Sequence, residues 1–269
     1  MMTKCAIYTL LVMLAFSGLN AQEPSSGQWG LQAGWTESFL YDAHASPLLY
    51  HADVANISGL YRRTGAFYFE LALTLSIGTN RPQQLGRRSA EIVEVPDIYG
   101  QSETYEIRAY PFISIFRGQL QAQGLWEIGG HHRVGFSFHT SYVYTGLGID
   151  TWQFTQVALG PAYQYRYPVW KGGVEAAFSL PVTSLVVRPN YAFDSSLPDE
   201  TNYYFGYLRT GTQLVAFPKL FNPRFRVGYV LPLEDTKSVG AIYNMEWLSY
   251  PDPRPLRVFS HGVDLVYFF

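Results

Sequence analysis

The chain closes on His261-Gly-Val-Asp-Leu-Val-Tyr-Phe-Phe269, and the alternation in that stretch decides the fold. From Phe259 one parity reads Phe259, His261, Val263, Leu265, Tyr267, Phe269; the other reads Val258, Ser260, Gly262, Asp264, Val266, Phe268. A two-residue period marks a strand, whose successive side chains point to opposite faces. An exposed strand with so apolar a face would invite edge pairing and aggregation in water. It makes sense as the closing strand of a barrel whose outer face meets lipid, where every backbone group must be paired within the protein.

The same period recurs upstream. Over Ala66–Ile77, Phe67, Phe69, Leu71, Leu73, Leu75 and Ile77 share one face, while Tyr68, Glu70, Ala72, Thr74 and Ser76 share the other. A tilted strand needs about 9–11 residues to cross a bilayer, so this segment suffices. Arg133–Tyr144 repeats the pattern, as do Trp29–Thr36, Ala55–Tyr61, Gln119–Ile128, Val157–Tyr167, Val174–Val182, Phe225–Leu231 and Ala241–Trp247. Two further segments, Thr104–Phe116 and Asn202–Phe217, raise the count from ten to twelve. Loop lengths choose between the two, because barrels of this kind keep short turns on the periplasmic side and longer loops outside. Ten spans give periplasmic turns at Arg63–Gly65, Gly129–His132, Pro168–Gly172 and Glu234–Ser238, with the proline-rich Pro251–Pro255 in the last outer loop. Twelve would make the long Arg188–Thr201 stretch a periplasmic turn. The expected fold is therefore all-β: a transmembrane antiparallel up-and-down β-barrel of ten strands, with twelve as the alternative. Large extracellular extensions are expected near 78–112 and 188–221, where the two extra segments project above the membrane.

Composition agrees. Met1–Lys4 is a short positive segment, Cys5–Phe16 is apolar and Ser17–Ala21 supplies small residues, which predicts a cleaved signal peptide over 1–21 and a barrel over 22–269. The single cysteine, Cys5, leaves with that peptide, so neither a disulfide nor a lipid anchor is expected. Aromatic residues make up 17% of the chain and charged residues 15%. No later segment approaches the ~18 consecutive apolar residues of a membrane-spanning helix. A secreted β-sandwich is the competing reading, and the length of the alternating segments speaks against it. Without Lys4, 18 of the 19 basic residues face 21 acidic ones, so no basic excess attracts nucleic acid.

The aromatic ending resembles the C-terminal signal of Gram-negative outer-membrane β-barrels. Phe178-Ser-Leu-Pro-Val-Thr-Ser-Leu-Val-Val-Arg-Pro-Asn-Tyr-Ala192 is similar to a segment of a family of uncharacterised Gram-negative outer-membrane barrels, as are Ser46–Tyr50 and Gly59–Arg63. The resemblance implies the fold and an outer-membrane location, with insertion by the barrel-assembly machinery; it implies no catalytic residues.

If the apolar parity faces lipid, the charged residues of the spans point inward: Glu70, Glu127, Glu175, Glu246 and Asp264 against Arg166, Arg224 and Arg226. In a narrow lumen such charges should pair, filling and stiffening the barrel. The functional alternative is a narrow porin-like channel, where five acids against three arginines would mildly favour cations. Ser137, His139 and Ser141 share the inward face of one strand, with His131 and His132 in the preceding turn, and a Ser–His pair supports acyl transfer only when the base reaches the nucleophile. Asp194, Asp199, Glu200 and His261 could stand on an outer rim as in barrel proteases. Lumen lining and solvated loops explain both sets more simply, so no catalytic residue is assigned. No residue set has metal-ligand spacing, and neither a metal nor a cofactor is expected. The outer extensions carry Arg81, Arg87 and Arg88, suited to lipopolysaccharide phosphates, and the aromatics Tyr191, Phe193, Tyr203, Tyr204, Phe205 and Tyr207, suited to a protein partner. The functional expectation is a non-enzymatic surface binding or accessory barrel, able to form part of a larger outer-membrane complex, with the channel as the alternative and a hydrolase third.

Overall fold

The computed structural model describes residues 27–44, 48–84, 88–93, 100, 104–109, 113–145, 152–188, 211–233 and 237–269. Fourteen strands follow in order: β1 (Gly27–Asp42), β2 (Leu49–Arg63), β3 (Phe67–Pro82), β4 (Arg88–Val93), β5 (Thr104–Ala109), β6 (Ile113–Gly129), β7 (His132–Thr145), β8 (Trp152–Val169), β9 (Gly172–Ser179), β10 (Thr183–Val187), β11 (Thr212–Ala216), β12 (Arg224–Pro232), β13 (Ser238–Tyr250) and β14 (Leu256–Phe268). Twelve of them make ten antiparallel spans, and β4 and β5 stand apart. β9 and β10 are two halves of one span, broken at Leu180-Pro181, and both pair with β8. β11 and β12 are the halves of the next, pairing with β10 and β9 respectively. Closure comes from β1 against β14, sealed at its end by Phe269 N donating to Trp29 O at 2.9 Å.

The lipid-facing parity is as read from the sequence. Trp29, Leu31, Trp35, Ile57, Leu73, Ile77, Phe136 and Leu265 are each more than half exposed, forming a belt that water would not tolerate. The short turns, Thr64–Ala66, Gly130-His131, Trp170-Lys171 and the 233–237 connection, share one end with Gly27 and Phe269. We call this the inner end. The connections at 83–112, 189–210 and 251–255 lie at the other, the outer end.

Followed perpendicular to the strands from Thr36, the register reaches Trp152 of β8 in one direction and Gln164 in the other. That offset of twelve residues within β8 is the shear of the barrel, and it tilts the strands by about 40° to the axis. Most spans run longer than the sequence implied, because their outer ends continue past the alternating apolar belt. The two extra segments have different fates. Thr104–Ala109 pairs with Arg88–Val93 as a separate hairpin, whereas Ile113–Phe116 belongs to the wall as the start of β6. In the second segment, Thr212–Ala216 is also wall, bonded to β10.

Candidate functional site: the lumen and the outer rim

Inward side chains stack in three layers. The inner layer is a floor. Glu70 on β3 accepts hydrogen bonds from Arg226 on β12, from the Tyr68 hydroxyl and from Gln123 Nε2 at 3.2 Å. Arg62 on β2 lies 3.5 Å above the Phe268 ring and donates to Gln28 Oε1 at 2.7 Å and Ser238 Oγ at 3.0 Å. Buried Leu60, Ile242, Val266 and Phe268 fill one side of this floor, and Tyr68, Leu125 and Ala162 the other. Below it lies a vestibule of about 240 Å³ lined by Glu127, Arg133 and Arg166, whose ion pairs are looser: Arg166 Nε to Glu175 Oε1 at 3.4 Å, and Arg133 Nη2 to Glu127 Oε2 at 3.9 Å.

The middle layer is polar. Glu246 receives Arg117 Nη2 at 2.8 Å, Arg224 Nη2 at 2.9 Å and Asn222 Nδ2 at 3.0 Å. Asp264 has amides for partners instead of arginines, Gln32 at 2.8 Å and Asn244 at 2.6 Å. Around these groups lies a cavity of about 140 Å³ lined by Gln119, Gln121, Gln123, Asn56 and Thr74. His139 also borders it, fully buried, with neither ring nitrogen hydrogen-bonded. Ser137 Oγ is directed to Gly160 O at 3.5 Å, so His139 and Ser137 do not form the pair that acyl transfer needs.

The outer layer is apolar. Leu40, Val54, Ile115, Val143, Phe154, Val186, Leu248 and Leu256 are among twelve buried residues that meet across the barrel axis, leaving a void of only about 40 Å³. Above them Arg188, whose side chain is 2% exposed, pairs with Asp42. It also donates to the carbonyls of Asp252 and Arg254 at 2.6 Å each. One guanidinium thus ties the end of β1, the root of the 189–210 connection and the last loop. Lys219 and Asp252, 2.6 Å apart, add an exposed pair on the same rim.

The sequence-derived lumen set is therefore largely assembled as pairs: Glu70 with Arg226, Glu246 with Arg224, Glu175 with Arg166. Two corrections apply. The charge balance does not favour cations, because Arg62, Arg117 and Arg133 also face inward and turn the arginine deficit into a small excess. Polar groups do not fill the lumen alone, because its outer third is hydrophobic. Arg81 lies on the outer wall, exposed, with its Nη2 2.9 Å from Asp53 Oδ2. His261 also projects from the outer wall, away from any lumenal site. The side chain of Arg88, and Arg87, Tyr191, Phe193, Asp194, Asp199, Glu200, Tyr203, Tyr204, Phe205 and Tyr207 altogether, lie outside the described residues.

No protein-family model and no curated protein sequence matches the chain. Among solved structures, it is similar to an outer-membrane channel from Pseudomonas putida F1, at 11% identity over 94% of this chain and 98% of that one, with a TM-score of 0.42. The β-domain of the Bordetella autotransporter BrkA aligns at 11% identity over 91% and 99%, TM-score 0.40. The outer-membrane protease OmpT from Escherichia coli aligns at 10% over 92% and 97%, TM-score 0.39. A channel, an autotransporter β-domain and a protease share little but a membrane barrel, so the likeness says nothing of activity.

Proposed function

We propose that this chain is an integral outer-membrane β-barrel that acts as a non-enzymatic surface binding or accessory protein within a larger outer-membrane complex. The observation that carries the reading is the filled lumen: an ion-paired floor and an apolar outer layer enclose the polar middle, so the barrel supports a surface better than a flow. A second feature fits. Arg188 fixes the bases of two outer connections through a buried ion pair and two carbonyls, and a rim held in that way lowers the ordering cost of binding. The proposed partners are another outer-membrane protein, taken up by Tyr191, Phe193, Tyr203, Tyr204, Phe205 and Tyr207, and lipopolysaccharide near Arg87 and Arg88.

The test is purification from native outer membranes in a gentle detergent. A stoichiometric companion is expected, and serine at the six aromatic positions should reduce its yield several-fold while the barrel still folds. A barrel that emerges alone would overturn the accessory reading.

A further inference from the structure

On the outer wall, register brings four titratable side chains to one place. Glu37 of β1 stands opposite Asp53 of β2 and His261 of β14, and His51 lies two residues from Asp53 on the same face. The donor atoms of Glu37, His51 and Asp53 all lie within 4.8 Å of one another. We propose that these three residues bind a divalent cation of the zinc class and staple the first two strands beside the seam where the barrel closes.

Distances carry the argument first. His51 Nε2 is 3.7 Å from Asp53 Oδ1 and 3.9 Å from Glu37 Oε2, and His261 Nε2 is 3.8 Å from the same Glu37 oxygen. These separations exceed a hydrogen bond. They are close to what two donors of one ion show: ligands about 2.1 Å from a tetrahedral zinc stand roughly 3.4 Å apart. His51 Nε2 is shut off from solvent and has no hydrogen-bond partner among the described residues. It faces two carboxylate oxygens, each beyond hydrogen-bond reach, and a shared cation would bridge that gap.

The surroundings suit the role. Arg81 holds Asp53 Oδ2 at 2.9 Å, which leaves Oδ1 turned to the histidine, as outer-shell partners do at metal sites. Phe39 stacks on both imidazoles, its centroid 5.0 Å from His51 and 6.4 Å from His261, with interplanar angles of 21° and 19°. One imidazole and two carboxylates form a mixed N/O donor set, and the imidazole favours zinc-class ions over magnesium or calcium. The location has a consequence too. The donors come from β1 and β2, so an ion there ties these two strands together directly beside the seam with β14.

The experiment uses the untagged barrel, folded in detergent, stripped with a chelator and titrated with zinc sulfate. Bound metal is measured by elemental analysis and folding by the heat-dependent shift in gel mobility. One zinc per chain is expected, with a raised unfolding temperature as binding to the native state requires. Affinity should fall at least about ten-fold in both His51→Ala and Asp53→Asn. It should be unchanged in a His131→Ala/His132→Ala control at the inner turn. Absence of bound zinc, binding that survives both substitutions, or binding lost in the control would overturn the proposal. If a variant fails to fold, zinc-edge absorption of the native barrel decides: imidazole scattering in an N/O shell is expected, and a shell of water oxygens alone would overturn it.

Discussion

Glu246 holds two guanidinium groups that would otherwise face each other in the middle of the lumen. Its carboxylate is only 15% exposed, and Arg117 and Arg224 are hardly more so. Removing one partner from a buried ionic cluster leaves uncompensated charge, at a cost of about 3–5 kcal/mol. Glu246→Ala should therefore lower stability by that order in urea unfolding from detergent micelles. Glu127→Ala is the contrast, because that carboxylate is 42% exposed and 3.9 Å from Arg133. A weak exposed pair is worth about 0–1 kcal/mol, so its loss should hardly move the midpoint. Similar shifts in the two variants would contradict the layered view of the lumen. The sequence disclosed Glu246 and Arg224 as inward residues, since Glu246 falls inside an alternating span and Arg224 immediately precedes one in phase with it. Arg117 was hidden because it lies between the segment read as an outer extension and the start of the next span. The zinc donors were hidden for a different reason: residues 37, 51 and 53 become neighbours only through the β1–β2 register, which no local spacing reveals.

Among the elements, the pairing of β1 with β14 carries the closure, and Gly34 marks its tightest point. A Cβ at this position would collide with Asp264 Oδ1 and the Val263 carbonyl and come within 2.7 Å of Asp264 Cα. Backbone cannot yield as a flexible side chain can, so Gly34→Ala should push the two strands apart. It is expected to reduce the heat-shifted folded fraction in refolding assays and to lower the unfolding free energy by about 1–3 kcal/mol, the usual cost of overpacking. Gly59→Ala on β2, where no atom lies within 4 Å, should be close to neutral. Equal effects at the two positions would remove the steric argument. Lipid-facing parity in these strands was readable because the contrast between faces is strong through the belt. It fades at the outer ends, where Phe39-Leu40-Tyr41, Tyr142-Val143-Tyr144 and Trp247-Leu248 are apolar on both faces. There the inward residue reads as a lapse in the pattern, although it is a member of the buried outer layer.

For the whole molecule, the question is whether ions can pass. Eight strands leave an interior just wide enough for side chains to fill; ten with this shear leave somewhat more, and the difference must be taken up by large residues or by water. Here Phe154, Leu248, Tyr250 and Leu256 take it up at the outer end, and Arg62, Tyr68 and Phe268 do so at the floor. The two barriers lie in series with the polar cavity between them. Purified barrel in planar bilayers should accordingly show no regular conductance steps, and steps of reproducible size in the native protein would return the channel to first place. The variant Phe154→Ala/Leu248→Ala makes the inference sharper. If both layers seal, opening the outer one merely enlarges a chamber closed beneath, and the variant should stay silent. Steps that appear only in the variant would mean that the floor leaks and that the outer layer is a hydrophobic gate. Such a layer conducts once it wets, and the rim that Arg188 ties together would then be the place where a partner opens it.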